Sequence, residues 1–147
     1  MRRYKPNKKK FLGGKHDDAE LVELAQFIRD AFPNVTVKRD WFIVFDQEDN
    51  YVRSQESQPI GERNYRHPDL IVFPKVYQKH VMVKVRPIVI HEVDGSVHDV
   101  HVVDTEKRNQ QYENARLPLT VTNKRDITVS KFDDMYNKIE PYLKGDN

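Results

Sequence analysis

At 147 residues the chain has the length of one domain, long enough for a single core without covalent staples. It contains no cysteine, which excludes a disulfide framework and a thiolate zinc site. No apolar run nears the ~18 residues of a membrane span, and no apolar stretch backs the basic N-terminus as in a secretory leader, so an intracellular, cytoplasmic protein with no membrane contact is expected. The net charge of +2 is unevenly spread. The first 15 residues hold seven Lys or Arg and no acid, which leaves 18 basic against 23 acidic residues in the other 132, a net charge of −5. A basic arm over residues 1–15 on a mildly acidic domain over 16–147 suits phosphate binding, through Arg2, Arg3, Lys5, Lys8, Lys9 and Lys10, although a solvated tail has the same composition.

In chain order, "DDAELVELAQFIRDAF" reads as a helix. Asp17 can cap it and Glu20 stands at the capping-box spacing. Leu21, Leu24, Ala25, Ile28 and Phe32 share one face, and Pro33 stops it. "VTVKRDWFIVFD" reads as a strand that begins by alternating and continues as an apolar run. Residues 47–66 offer almost nothing to bury and read as a long functional loop, shorter if the strand returns as a hairpin through "YVR". Its Arg53, Arg63 and Arg66, with Tyr51 and Tyr65, suit contact with nucleic acid. "HPDLIVFPKV" is a second strand and "HVMVKVRPIVIHEVD" a third, with a turn near Gln78 and a bend or edge at Pro87. "DTEKRNQQYENAR" is a polar helix with Asp104 as N-cap, "LPLTVT" a fourth strand, and "SKFDDMYNKIEPYL" a last helix capped by Ser130, with Phe132, Met135, Ile139 and Leu143 inward. The order α-β-β-β-α-β-α predicts a mixed α/β sheet whose last two strands, joined by a helical crossover, are parallel.

The acidic residues carry the chemistry. Residues two apart on a strand point the same way, so Glu92 and Asp94 project together from the end of the third strand. Asp69 opens the second, and antiparallel pairing would bring all three close. Three clustered carboxylates repel unless a hard divalent cation such as Mg²⁺ shares their charge. Such an ion can polarise a phosphodiester and activate a water. The competing reading makes Asp94-Gly95 the turn of a hairpin, Glu92 a solvated strand position and Asp69 a strand start. His98 and His101 could orient a water or protonate a leaving oxygen, or be surface residues; "HDVH" alone is weak evidence for zinc. His91 points away from Glu92 and reads as structural. Lys107 and Arg108 fit a solvated helix face.

Taken together, the pattern resembles the PD-(D/E)XK nuclease superfamily, with an αβββαβ restriction-endonuclease-like core and here an added C-terminal helix. "HPDLIV" is similar to its proline-aspartate motif and "IHEVDG" to its acidic motif. Within it, "EVDGSVH", Asp104 with Arg108, and "LTVTNKRDI" resemble the very-short-patch-repair-like endonucleases, over residues 17–129. The resemblance implies a DNA endonuclease that uses Mg²⁺, with Mn²⁺ able to stand in. Asp69 and Glu92 would be its main metal ligands, Glu20 a supporting carboxylate, and His98 a water-positioning group. The lysine expected two residues after the glutamate is replaced by Asp94. Lys107 reaching in from the next helix, or a second metal on Asp94, would fill its role. Other readings are a homodimeric resolvase of branched DNA, a DNA-binding module that has lost catalysis, and a non-nuclease partner-binding protein.

Overall fold

A computed structural model describes residues 16–75, 82–94, 102–123 and 131–144, with side chains from residue 21 in the first helix, 103 in the second and 133 in the third. Helix α1 (His16–Ala31) buries Leu21, Leu24, Ala25 and Ile28, as its spacing predicts, and ends ahead of Pro33. Asp17, expected as its cap, lies inside the helix instead.

The apolar segment after α1 is two strands, not one. β1 (Val35–Arg39) and β2 (Phe42–Phe45) belong to different sheets. Between them Asp40 takes φ 61°, a left-handed conformation that Asp tolerates better than most residues. That reversal ends the run, so Trp41, Ile43 and Phe45 turn into a second core. The polar stretch expected as a loop supplies β3 (Tyr51–Gln55) and β4 (Tyr65–Arg66), both hydrogen-bonded to β2, so the "YVR" hairpin forms. β5 (Leu70–Pro74) follows. The expected third strand is also divided near Pro87, into β6 (Met82–Val83) and β7 (Val89–Asp94). Helix α2 (Val102–Asn114), β8 (Leu119–Asn123) and α3 (Lys131–Leu143) complete the described elements. Asp104 sits in the first turn of α2 and not ahead of it. Residues 1–15, the turn near Gln78, Gly95, His98, His101, Ser130 and the side chains of Asp17, Glu20 and Phe132 lie outside the described residues.

Among the described residues the fold is thus mixed α and β, with two sheets and three helices. The first sheet has the order β1-β5-β7-β8, antiparallel except for the parallel β7–β8 pair that the α2 crossover requires. The second has the order β4-β2-β3-β6 and is antiparallel throughout. Alternation along β5 and β7 divides the interior. Leu70, Val72 and Val89 pack with α1 and with Met135, Tyr136 and Ile139 of α3. Ile71, Phe73 and Ile90 face the other way, onto Trp41, onto Ile43 and Phe45 of the second sheet, and onto Tyr112, Ala115 and Leu117 at α2.

Both outer strands of the first sheet have a backbone carbonyl taken by a helix cation. Arg29 of α1 donates to Val37 O at 2.7 Å, and Lys138 of α3 donates to Val121 O. Open edges invite strand addition, and these contacts blunt both of them.

His91 lies opposite Leu70 and faces α3, 1% exposed. Its ring nitrogens meet Thr120 Oγ1 at 2.8 Å and Thr122 Oγ1 at 3.1 Å, which fits the expected structural role. Burial, reinforced by Lys138, lowers its pKa to about 3. Below pH 6.5 the unfolded chain therefore binds a proton that the folded chain refuses. Stability should fall as pH drops from 6.5 to 3, by about 1.4 kcal/mol per pH unit from this group. Denaturant titrations of wild type and His91→Gln across that range should differ by this slope; parallel curves would contradict it.

Candidate active site: a carboxyl pair, an arginine and a tyrosine

The site forms where β5 starts and β7 runs on. Pairing of the two strands reaches Leu70 opposite His91. The next pair would be Asp69 and Glu92, and there the ladder changes character: Asp69 Oδ2 accepts the Val93 backbone N–H at 2.7 Å. A side chain thus substitutes for backbone at the end of the strand pair, and Asp69 is pinned beside Glu92. Both carboxyls lie on the face of Ile71 and Ile90, toward α2.

Glu92 is 7% exposed, and its Oε2 accepts the phenolic hydrogen of Tyr112 at 2.9 Å. Burial, and then the charge of Asp69, push its pKa up to about 8. Burial also raises Asp69, opposed by the Val93 N–H and by a hydrogen bond from Glu92. These shifts favour one proton shared by the two carboxyls at neutral pH, carried on Glu92. Like charges in a site this dry cannot both persist without a cation. Burial and the adjoining Glu92 carboxyl raise Tyr112 well above the ordinary phenol value, so it remains a donor.

Asp94, two residues on and on the same face, is gripped by Arg108 of α2, with Nη1–Oδ1 at 2.7 Å and Nη2–Oδ2 at 3.3 Å. The two side chains are 14% and 13% exposed, so this is a largely desolvated bidentate pair, a geometry that favours guanidinium over ammonium. Asn109 Oδ1 accepts from Arg108 Nε at 3.0 Å and Nη2 at 2.8 Å and fixes the fork. The charge of Arg108 acts on Asp69 and Glu92 as well, lowering both.

The structure thus brings Asp69, Glu92 and Asp94 together. β7 has β5 and β8 as its neighbours, and Asp94 pairs with Asn123; Gly95, on which the hairpin alternative depends, lies outside the described residues. Lys107 is exposed on α2, and the cation that meets the carboxylates is its neighbour Arg108, not solvated as a polar helix face would have it. Glu20 lies in α1, but its side chain, like all of His98 and the six basic residues of the arm, is outside the described residues. Arg63 is exposed. Arg66 Nε donates to Gln111 Oε1 at 2.6 Å. Arg53 pairs with Glu62, and Tyr51 turns inward, its hydroxyl on Ser54 Oγ and the carbonyls of Val83 and Val85.

Two side chains of α2 escaped the sequence reading. Tyr112 is fully buried, and Gln111, 8% exposed, donates to Asp49 Oδ1 at 2.9 Å and Asn64 Oδ1 at 2.6 Å while accepting from Arg66. The signal was their position three and four residues after Arg108, on one helical face. Through Gln111 the second sheet is fastened to the helix that supplies Arg108 and Tyr112.

Among the described residues no group of three or more His, Cys, Asp or Glu is arranged to hold a metal. Asp94 is committed to Arg108, which leaves the Asp69–Glu92 pair. Two carboxylates suffice for Mg²⁺, which keeps several of its waters. The proton the pair shares balances charge where a divalent cation would, so these residues fit the ion. No helix among the described residues is long and apolar enough to cross a membrane. No protein-family model, no curated protein and no solved structure matches the chain.

The raised pKa of Glu92 has a stability consequence in metal-free buffer. Its folded form binds a proton that the unfolded chain releases above pH 4.5, so this contribution is complete below 4.5 and is lost as pH rises through about 8. A glutamine at this position keeps a neutral donor toward Asp69. Glu92→Gln should therefore lack the decline that wild type shows between pH 6.5 and 8.5 in EDTA. Equal slopes in chemical denaturation would argue against the shared proton.

Proposed function

We propose that the chain is a divalent-metal-dependent endonuclease that hydrolyses phosphodiester bonds of DNA. The observation that carries this reading is the placing of half-buried Asp69, held by the Val93 N–H, beside buried Glu92 of β7, with Tyr112 of α2 on Glu92 and Arg108 of α2 on the neighbouring Asp94. The connectivity α1-β1-β5-β7-α2-β8, with β7 parallel to β8, is the order a restriction-endonuclease-like core would have and supports the same reading. On this view β2, β3, β4 and β6 are an addition to that core.

Asp69 and Glu92 would hold Mg²⁺, which when bound polarises a phosphodiester oxygen and makes hydroxide accessible near neutral pH. The rest falls to the chain. Tyr112 holds Glu92 in place, and the Val93 N–H holds Asp69. Arg108 stands where a lysine two residues after Glu92 would otherwise act. Its guanidinium, oriented by Asp94 and Asn109, faces the negative charge that builds on the phosphoryl oxygens. Asp94 then orients a cation. Arg66 beside α2, the exposed Arg63 and the basic arm would hold the backbone of the nucleic acid.

The test is incubation of supercoiled plasmid with the purified chain in Mg²⁺, in Mn²⁺ and in EDTA. Metal-dependent nicking is expected, and it should vanish in Asp69→Asn and Glu92→Gln. Arg108→Ala should lower the rate constant at saturating DNA about 10²- to 10³-fold, with Arg108→Lys in between. Cleavage that persists in both carboxylate variants would refute the assignment. Deleting residues 1–10 should leave the metal requirement intact and flatten the dependence of log affinity on log salt, by about 0.9 per lost phosphate contact. An unchanged slope would remove the arm from DNA binding.

A further inference from the structure

The rings of Phe42 and His67 are stacked, with centroids 4.2 Å apart and planes 13° from parallel. Tyr65 closes against Phe42 edge-on, at 5.8 Å and 72°. In the β2–β4 register Tyr65 lies opposite Val44, so it shares a face with Val44 and Phe42. Ile43 and Phe45 on the other face fill the core, so the three rings lie on the face of the second sheet turned away from that core, where Val44 is buried beside them, and none belongs to either core cluster. Phe42 and Tyr65 are half-buried, whereas the His67 side chain is 48% exposed. Phe42 covers one face of the imidazole, and Asp40 stands at its edge, Oδ1 3.9 Å from Nε2. The His67 ring, one residue past the end of β4, is thus stacked on one side and half exposed, placed where a further ring could extend the stack.

Its position gives that ring a use. His67 precedes Asp69 by two residues, at most about 7 Å of chain. Arg63, also exposed, lies two residues before Tyr65. We propose that the Phe42–His67 stack is a platform for one unpaired nucleobase of DNA engaged at the Asp69–Glu92 site. The substrate is then DNA with an unstacked base, at a gap, flap or branch, in preference to continuous duplex. In a duplex both faces of each base are covered by its neighbours, so a protein ring can extend the stack only where a base is unpaired or splayed out. Stacking of this kind is tolerant of base identity, so the platform selects for structure and not for sequence. The inference rests on the nuclease reading of the carboxyl pair.

The full chain, in Ca²⁺ without Mg²⁺, would be titrated into a gapped duplex bearing one unpaired 2-aminopurine and into the same duplex with that base paired. Anisotropy would report affinity and 2-aminopurine fluorescence would report stacking. Wild type should favour the unpaired base about tenfold and quench it, within the range that base–aromatic stacking supplies. His67→Ala should bring the ratio of the two affinities near one, and His67→Trp should restore both the ratio and the quenching. Equal affinity of wild type for the two DNAs, or a preference that survives His67→Ala, would overturn the platform and leave the nuclease reading standing. Binding to neither DNA would overturn both.

Discussion

The carboxylate of Asp69 takes a backbone N–H of β7 just where β5 stops providing carbonyls, and the arrangement of the site follows from that contact. It holds Asp69 beside Glu92, whose carboxyl is buried, where two charges are costly. The consequences are the shared proton, the raised pKa of Glu92 and the need for a donor such as Tyr112 on the remaining oxygen. A buried pair of this kind is a poor stabilising device, since apolar residues of the same size would cost the fold less. On the nuclease reading proposed above, its presence beside a central strand is the cost of the site.

The second sheet explains how α2 is held over that pair. The core between the sheets closes on Tyr112, Ala115 and Leu117, while Gln111 ties the helix to Asp49, Asn64 and Arg66. Arg86, just before β7, donates to the carbonyls of Ala115 and Arg116 at the helix's far end. The helix is thus anchored at its end and along its side by elements outside the first sheet. Its register relative to β7, and so the reach of Arg108 to Asp94, depends on them. The Asp40 reversal that sends β2 away from β1 makes this support available.

Much of this could be read from the residues. The buried face of α1, the parallel β7–β8 pair and the approach of Asp69 to Glu92 follow from periodicity, a helical crossover and the two-residue repeat of strands. The break at Asp40 does not, because an aspartate in left-handed conformation within an apolar run leaves the composition of a single strand unchanged. β3 and β4 were obscured for a different reason. They are polar strands whose pairing depends on β2, and a loop of the same composition would look alike. The choice between Lys107 and Arg108 is a matter of helical phase. One residue turns the side chain by about 100°, and only the orientation of α2 against β7 decides which cation faces inward.

That phase also accounts for Asp94. A lysine on β7 itself would project beside Glu92 on a flexible stem, with nothing further needed to aim it. Here the cation arrives from α2, and a guanidinium swung in from a helix needs a partner to define its direction. Asp94 supplies one with two oxygens matched to the arginine fork, and Asn109 supplies a second from the helix side. Asp94 on the strand and Arg108 on the helix are therefore one device in two places. Either alone would leave a buried charge unpaired. Together they hold positive charge beside the carboxyl pair, with the anchoring sheet deciding how firmly.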